Sequence, residues 1–246
     1  MPRTFMKLYE YNWMQVEEYL KSDDRVVIPL GSVEQHAYLS LGTDAIVGEA
    51  CAIEAAEGTD VPVLPVMPFG LTPRFTEFAG TITLRESVFL DVVRDILDAL
   101  FSHGFRRFLI VSGHAGNVPA KGAAAEWEAL HPGAQVIYHA GVVEPEVWDF
   151  ALSIDSDTGH ASWVENFAAT RVSDAVMPEA AKAPVDPEAL RTFGPVELKE
   201  LLEDGNFGGP YTRPQSEAEA VWQATVNSIR TALTDGWSTP STRRCT

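Results

Sequence analysis

Cysteine is close to absent. The 246 residues hold two, Cys51 and Cys245, so neither a disulfide framework nor a thiolate zinc site is available. Cys51 lies in an alanine-rich run and reads as buried packing, not as a nucleophile. Basic residues are also scarce: 18 Lys and Arg stand against 35 Asp and Glu, a formal net charge of -17. Nucleic acid and anionic membrane surfaces both need a basic face, so neither is expected as a partner. The acidity is spread along the chain and reads as a solvated surface. Long apolar runs are missing too. The stretch from Met1 to Lys7 has no apolar signal core and nothing reaches the length of a membrane span, so the expected location is cytoplasmic. Finally, there is no Walker-type glycine loop and no Gly-x-Ser-x-Gly elbow, which weighs against nucleotide-dependent and serine-hydrolase chemistry.

What is present is an alternation of strands and helices. Residues 1–246 read as one domain with a helical C-terminal segment at about 187–236. Strands are expected at Arg25 to Leu30, Arg107 to Gly113 and Ala134 to His139. Helices are expected at Tyr11 to Ser22, Asp44 to Glu57, Arg85 to His103, from Asn117 to near Leu130, Gly159 to Val172, Glu188 to Glu203 and Glu217 to Leu233. Gly58 and Gly104 stand where helices stop. Val61 to Gly70 is apolar but carries three prolines, which favours an extended segment at an edge. Gly80 to Leu84 reads as a short strand or turn. The whole is an α/β fold with a mostly parallel sheet covered on both faces.

Three polar clusters carry the chemistry. Glu34 and His36 follow the first strand two residues apart, so an extended chain sends both side chains to one face. Asp44 follows Gly42-Thr43 just before a helix. His114 sits in the glycine-rich turn Ser112 to Asn117 after the second strand; a histidine there is often structural, and Asn117 serves as a helix cap or as a substrate contact. His160 and Glu165 form the third cluster. On a helix they would be about 140° apart, so they share a pocket only if His160 precedes the regular turn. Tyr38, Arg74 and Glu77 are candidate substrate contacts. His103, His131 and His139 have no acidic partner at useful spacing and read as surface or structural groups.

In parallel sheets, ligands gather beyond the carboxyl ends of strands, which is where the first two clusters fall. A site of Glu, His, Asp, His and Glu suits one or two divalent ions: zinc, with manganese or iron(II) as alternatives. Asp44 is the candidate bridging carboxylate. Such ions polarise a carbonyl and bring bound water towards a pKa of about 7, and His160 is placed for acid–base assistance.

Together the clusters resemble the creatininase (creatinine amidohydrolase) family. The match rests on Gly-Ser-x-Glu-Gln-His at Gly31 to His36, Gly-Thr-Asp at Gly42 to Asp44, and Gly-His-x-Gly-Asn at Gly113 to Asn117. Phe78 to Leu84 and the His160–Glu165 segment add weaker matches. The resemblance implies a three-layer α/β/α sandwich, a metal-dependent hydrolase and a homo-oligomer, with a hexamer as the candidate assembly. It puts Glu34, His36, Asp44 and His114 on the family's metal ligands and His160 near the reacting carbonyl. Creatininase proper takes another ligand from a glutamate two places after the second histidine; that place is Gly116 here, and Glu165 takes the role instead. The link Ala37-Tyr38-Leu39-Ser40 is a residue shorter than usual and lacks a histidine, and Phe75 stands where another histidine is common. Creatinine is therefore disfavoured. The expected substrate is a small polar carbonyl compound, with hydrolysis of a linear or cyclic amide first and C–C ring opening of a diketo-inositol second. The reading from another class is a non-catalytic small-molecule binding protein that kept the fold.

Overall fold

The computed structural model describes residues 7–238; Cys245 and the first six residues lie outside them. Three parallel strands, β1 (Arg25–Leu30), β2 (Arg107–Ser112) and β3 (Gln135–His139), form a sheet in the order β1-β2-β3. Ile28 pairs with Ile110, and Ile110 with Tyr138. Side-chain alternation divides each strand between two cores. Val26, Ile28, Leu30, Phe108 and Ile110 pack on one side under Phe89, Val93, Leu97 and Trp127. Val27, Leu109 and Val111 pack on the other under Cys51, Ala52, Val226 and Ile229. The first cover is made by α3 (Glu86–His103) and α4 (Pro119–Leu130), the second by α2 (Thr43–Ala56) and α8 (Gln215–Asp235). The α/β/α sandwich is therefore present. Among the described residues, no helix is long and apolar enough to cross a membrane.

The proline-rich segment after α2 runs parallel along the free edge of β1. It touches the strand at Val27–Val63 and Leu30–Met67, with Leu64 N donating to Val27 O at 2.9 Å and Gly31 N to Met67 O at 2.9 Å. Prolines 62, 65 and 68 have no N–H to give, so no continuous ladder forms. This edge matters for the site. The chain leaves β1 through α2 on one face to reach that edge, then returns through α3 on the other face to β2. The crossovers part at the carboxyl end of β1, and such a switch point opens a crevice.

Helix ends follow ordinary rules. The first helix, α1 (Trp13–Tyr19), starts with a reciprocal Asn12–Gln15 capping box, and Gly104 ends α3 at a φ of 114°. Two expectations fail and one helix is missed. Gly159 to Val172 is not a helix: it is a loop with a single 3-10 turn at Trp163–Glu165. Ala161 there has a φ of 59°, and Thr170 Oγ1 donates to the Glu165 and Phe167 carbonyls, which takes main-chain acceptors away from helical bonding. Helix α5 (Pro145–Ile154) was not anticipated, although Pro145 opens it and Val147 and Ala151, one turn apart, are its buried stripe. The helix expected at Glu188 to Glu203 is two, α6 (Pro187–Thr192) and α7 (Pro195–Leu202), because Pro195 cannot donate into a continuing helix.

Candidate metal centre

Four side chains converge below the β1–β2 edge, all nearly sealed from solvent: Glu34, His36, Asp44 and His114. Glu34 and His36 come from the loop that leaves β1, His114 from the turn that leaves β2, and Asp44 from the first turn of α2. The two oxygens of Asp44 serve different histidines. Oδ1 lies 3.0 Å from His36 Nε2, and Oδ2 lies 2.8 Å from His114 Nδ1. Glu34 Oε1 is 3.3 Å from the same His114 nitrogen, and Glu165 Oε2 is 3.8 Å from His36 Nε2. Two ligand triads result, Glu34–Asp44–His114 and His36–Asp44–Glu165, sharing Asp44, with a third group of Glu34, His36 and His160 beside them.

The far nitrogens show what these histidines are prepared for. His36 Nδ1 lies 3.2 Å from the Glu34 carbonyl, and His114 Nε2 lies 2.9 Å from the Leu71 carbonyl. A carbonyl oxygen only accepts, so each ring carries its proton on that nitrogen and turns a bare lone pair towards the carboxylates. Lone pairs facing carboxylates repel unless a cation lies between them. Glu34 Oε2 and His36 Nε2 are buried with no hydrogen-bond partner, which is expensive unless an ion satisfies them. The donor set thus fits a divalent cation. Ser32 Oγ donates to Asp44 Oδ2 at 2.6 Å and fixes the shared carboxylate.

Titration behaviour agrees. Burial pulls His36 down, but the charges of Asp44 and Glu165 outweigh it and push its pKa up to about 10. His114 is raised in the same contest of burial against Asp44. Burial pushes Asp44 up, yet the two histidines hold it far below the usual carboxylate range. Burial raises Glu34, and pushes Glu165 up to about 7. The cage demands positive charge, and protons supply it where no cation does.

Glu165 reaches the cage from the 3-10 turn, with Oε2 accepting the Ala161 amide at 2.6 Å. His160 lies on the preceding loop, so the condition for the pair to share a pocket is met. Its ring stacks on Phe75 at 5.1 Å and 14°, contacts Phe207 at 4.9 Å, and stands 4.4 Å from His36. Burial and then the neighbouring His36 hold its pKa well below the usual value, so the ring is neutral. Its Nε2 faces both the Gln35 side-chain amide at 2.9 Å and the Gln35 carbonyl at 3.0 Å. One partner donates and the other accepts, so a proton on either ring nitrogen is accommodated. Nδ1 points to Glu34 Oε1 at 3.9 Å.

A cavity of about 630 Å3 opens onto Glu34, Asp44, His114, His160 and Glu165, and its walls are mainly apolar, including Leu71, Val143 and Trp148. Arg74 lines it, as anticipated; Glu77, Tyr38 and Asn117 do not. The side chains of Tyr38 and Asn117 are engaged elsewhere. Tyr38 packs edge-on against Tyr211 at 5.5 Å. Asn117 is fully buried, accepting from Leu71 N at 3.1 Å and donating to the Gly31 carbonyl at 3.0 Å, so its amide clamps the β1 exit to the Leu71 segment. At Gly116 a Cβ would run into His114 Nε2 and the Leu71 carbonyl, so this position must lack a side chain. Ser32, Gln35, Leu71, Arg85 and Trp148 escaped the sequence reading. Ser32 and Gln35 lie within the first motif and were open to it; the others join the site only through the fold.

A further buried histidine, His139, lies at the end of β3. Gly141 N donates to His139 Nδ1 at 3.0 Å, so the ring proton is on Nε2 and donates to Ser228 Oγ at 2.8 Å, while Ser228 donates to Glu146 Oε1 at 2.6 Å. Glu144 Oε2 is 3.9 Å away, so acids do accompany His139, contrary to the expectation. His131 also has one, Asp98 at 3.3 Å, and stacks on Trp127.

The chain is similar to several known proteins. The creatinine amidohydrolase of Pseudomonas putida is 28% identical over 115 residues, covering 44% of this chain and 44% of its own. The 3-dehydro-scyllo-inosose hydrolase of Thermotoga maritima is 28% identical over 102 residues, 41% of this chain and 33% of its own. The chain thus matches less than half the length of either. The mycofactocin precursor peptide peptidase of Mycolicibacterium smegmatis is 26% identical over 219 residues, 82% of this chain and 81% of its own. A crystal structure of creatininase shares the fold with a TM-score of 0.79 at 19% identity, covering 96% of this chain and 99% of that one. Manganese and Zn–Zn forms of creatininase, at 19% and 18% identity, superpose with TM-scores of 0.77, covering 96% and 97% of this chain and 100% of each of theirs. The creatininase (creatinine amidohydrolase) family model matches residues 9–233. With that match spanning nearly the whole chain, the protein belongs to the creatininase family of hydrolases.

Proposed function

We propose that the chain is a metal-dependent hydrolase that cleaves the C–N bond of an amide. Glu34, His36, Asp44, His114 and Glu165 hold one or two divalent ions, with zinc favoured over manganese and iron(II). The observation that carries this reading is the committed far nitrogen of each histidine, which leaves bare nitrogens facing the two oxygens of Asp44. Bound ions supply a polarised carbonyl and a water acidified towards a pKa of about 7. The chain's residues do the rest. Ser32 holds Asp44, the apolar walls exclude bulk water, and neutral His160 steadies the oxyanion or passes a proton to the leaving nitrogen, with Gln35 supporting either tautomer.

The amide reading is supported by two relatives, the creatinine amidohydrolase and the peptide peptidase that aligns with most of this chain. Ring opening of a diketo-inositol is kept in view by the inosose hydrolase relative, but the apolar walls suit a polyol poorly. A binding protein with a decayed centre would not be expected to retain all five donors. Homo-oligomeric assembly and a cytoplasmic location complete the proposal; the exposed Trp13 and Met14 on α1 are the kind of surface that assembly covers. The test is a metal-supplemented screen of cyclic amides, formamides, short peptides and inosose derivatives. An amide should turn over, lose turnover on exhaustive chelation and regain it with zinc or manganese. Full activity after chelation overturns the reading.

A further inference from the structure

Two exposed arginines that line the cavity have no side-chain partner. Every other arginine among the described residues is matched, as Arg25 is by Asp23, Arg213 by Asp155 and Arg230 by the Ala55 carbonyl. The guanidiniums of Arg74 and Arg85 make no hydrogen bond or ion pair, and both residues line the cavity. A chain with a net charge of -17 has carboxylates to spare, so two unmatched guanidiniums at one opening stand out against the electrostatics of the rest of the surface. Their segments run side by side, with Leu84 N donating to the Gly70 carbonyl at 3.0 Å and Thr72 N to Thr83 Oγ1 at 2.9 Å. Arg74 lines the same cavity as Glu34 of the metal cage. Arg85 directly precedes α3, an 18-residue helix whose first amides have no side-chain cap, and those amides add to a positive field there. One carboxylate, Glu86, shares this rim but pairs with neither arginine.

The apolar walls of the same cavity include Leu71, Leu84, Val142, Val143, Trp148 and Phe207. A ligand that satisfies the whole cavity has an amide at the cage, a bulky apolar body against these walls, and an anion at the mouth. A guanidinium is a planar fork that matches a carboxylate. We propose that the substrate is a carboxylate-bearing amide with a large apolar side chain, an acylated or peptide-linked amino acid, whose carboxylate is held by Arg74 and Arg85. This rests on the amide-hydrolase reading above and narrows it. Hydrolysis then adds one water across the C–N bond: the hydroxyl goes to the carbonyl carbon and a proton to the departing nitrogen. Creatinine has no carboxylate to offer, nor does a polyol ketone.

The experiment is a pair of calorimetric titrations on metal-loaded protein. The probes are N-acetylphenylalanine and N-acetylphenylalaninamide, which differ only in the charge of the end group. Wild type should bind the charged probe about tenfold tighter or more, the scale of a charge-assisted hydrogen bond. In R74Q/R85Q the two affinities should become equal through loss of the charged probe alone, while R74K/R85K should recover part of the difference. Both arginines are exposed, so the fold should survive, and the unchanged affinity for the neutral probe checks this directly. Equal binding of both probes by wild type, binding of neither, or a preference that persists in R74Q/R85Q overturns the proposal. The last outcome would mean that the carboxylate sits elsewhere, for instance in the cage. Turnover of amides without any charge preference would sink this inference and leave the hydrolase reading intact; charge-selective binding without amide turnover would overturn the hydrolase reading and leave only the carboxylate-binding role of Arg74 and Arg85.

Discussion

His36 with His114, and His139, are buried histidines at or just beyond the carboxyl ends of neighbouring parallel strands, and each has carboxylates nearby. Residue type and burial do not separate them; the accounting of nitrogens does. In the cage, each ring has one nitrogen held by a main-chain carbonyl and the other bare, facing carboxylates that also lack enough donors. Beyond β3, His139 has an amide on one nitrogen and a serine hydroxyl on the other, and the serine proton goes on to Glu146. Nothing there is left for an ion. The proton order also runs the wrong way for a nucleophile: Nε2 donates to Ser228 and cannot take its proton, so the trio does not work as a hydrolytic triad. Titration follows, with the cage histidines raised by carboxylates and His139 lowered by burial despite Glu144 and Glu146.

The contrast can be broken most forcefully at Asp44. Asp44→Asn removes the shared charge and should lower both bound metal and kcat/KM, the latter by about a thousandfold or more; elemental analysis alongside kinetics reads both. Retained metal at the wild-type level would show that Asp44 is not the common ligand. Next in size is Ser32→Ala, which frees the Asp44 carboxylate without touching a donor. Metal affinity, followed by competition with a chelator, should weaken about 10- to 100-fold.

Beyond β3 the expectations invert. Ser228→Ala should leave turnover and metal content alone while costing about 1–2 kcal/mol in denaturant unfolding, because it strands the His139 Nε2 proton and the Glu146 carboxylate loses a donor. Loss of turnover there would erase the distinction drawn between the clusters. The smallest effect is in pH. His139 is held below its ordinary pKa of 6.5 when folded, so as pH falls the unfolded chain takes up its proton first. Its contribution to stability is complete above about 6.5 and is lost as pH drops from there towards the folded value. The difference in unfolding free energy between wild type and His139→Gln should shrink over that range.

Much of this was legible in the chain itself. The strands announce themselves as short apolar runs, and the five donors sit in short motifs at strand or turn ends. The failures have local causes. The segment from Gly159 to Val172 reads as a helix, but Ser162 and Thr170 bind nearby main-chain groups and hold it open. Relations across long separations were out of reach. No pattern near His114 reveals that the carbonyl of Leu71, 43 residues earlier, fixes its tautomer. Nor does anything local to Arg85 say that it faces the same cavity as Arg74. Asn117 misled for a similar reason, since an amide in a glycine-rich turn serves equally well as ligand contact or clamp until its partners are known.

Gly116 bears on how members of this family diverge. The resemblance places a metal-binding glutamate of creatininase proper at this position, where here even a Cβ would strike His114 and Leu71. On the proposed ligand set, acquiring that glutamate by a single replacement would push against His114, and discarding Glu165 first would leave the cage a donor short. A laboratory conversion between the two arrangements should therefore transplant the whole turn together with the Leu71 segment, not one codon at a time.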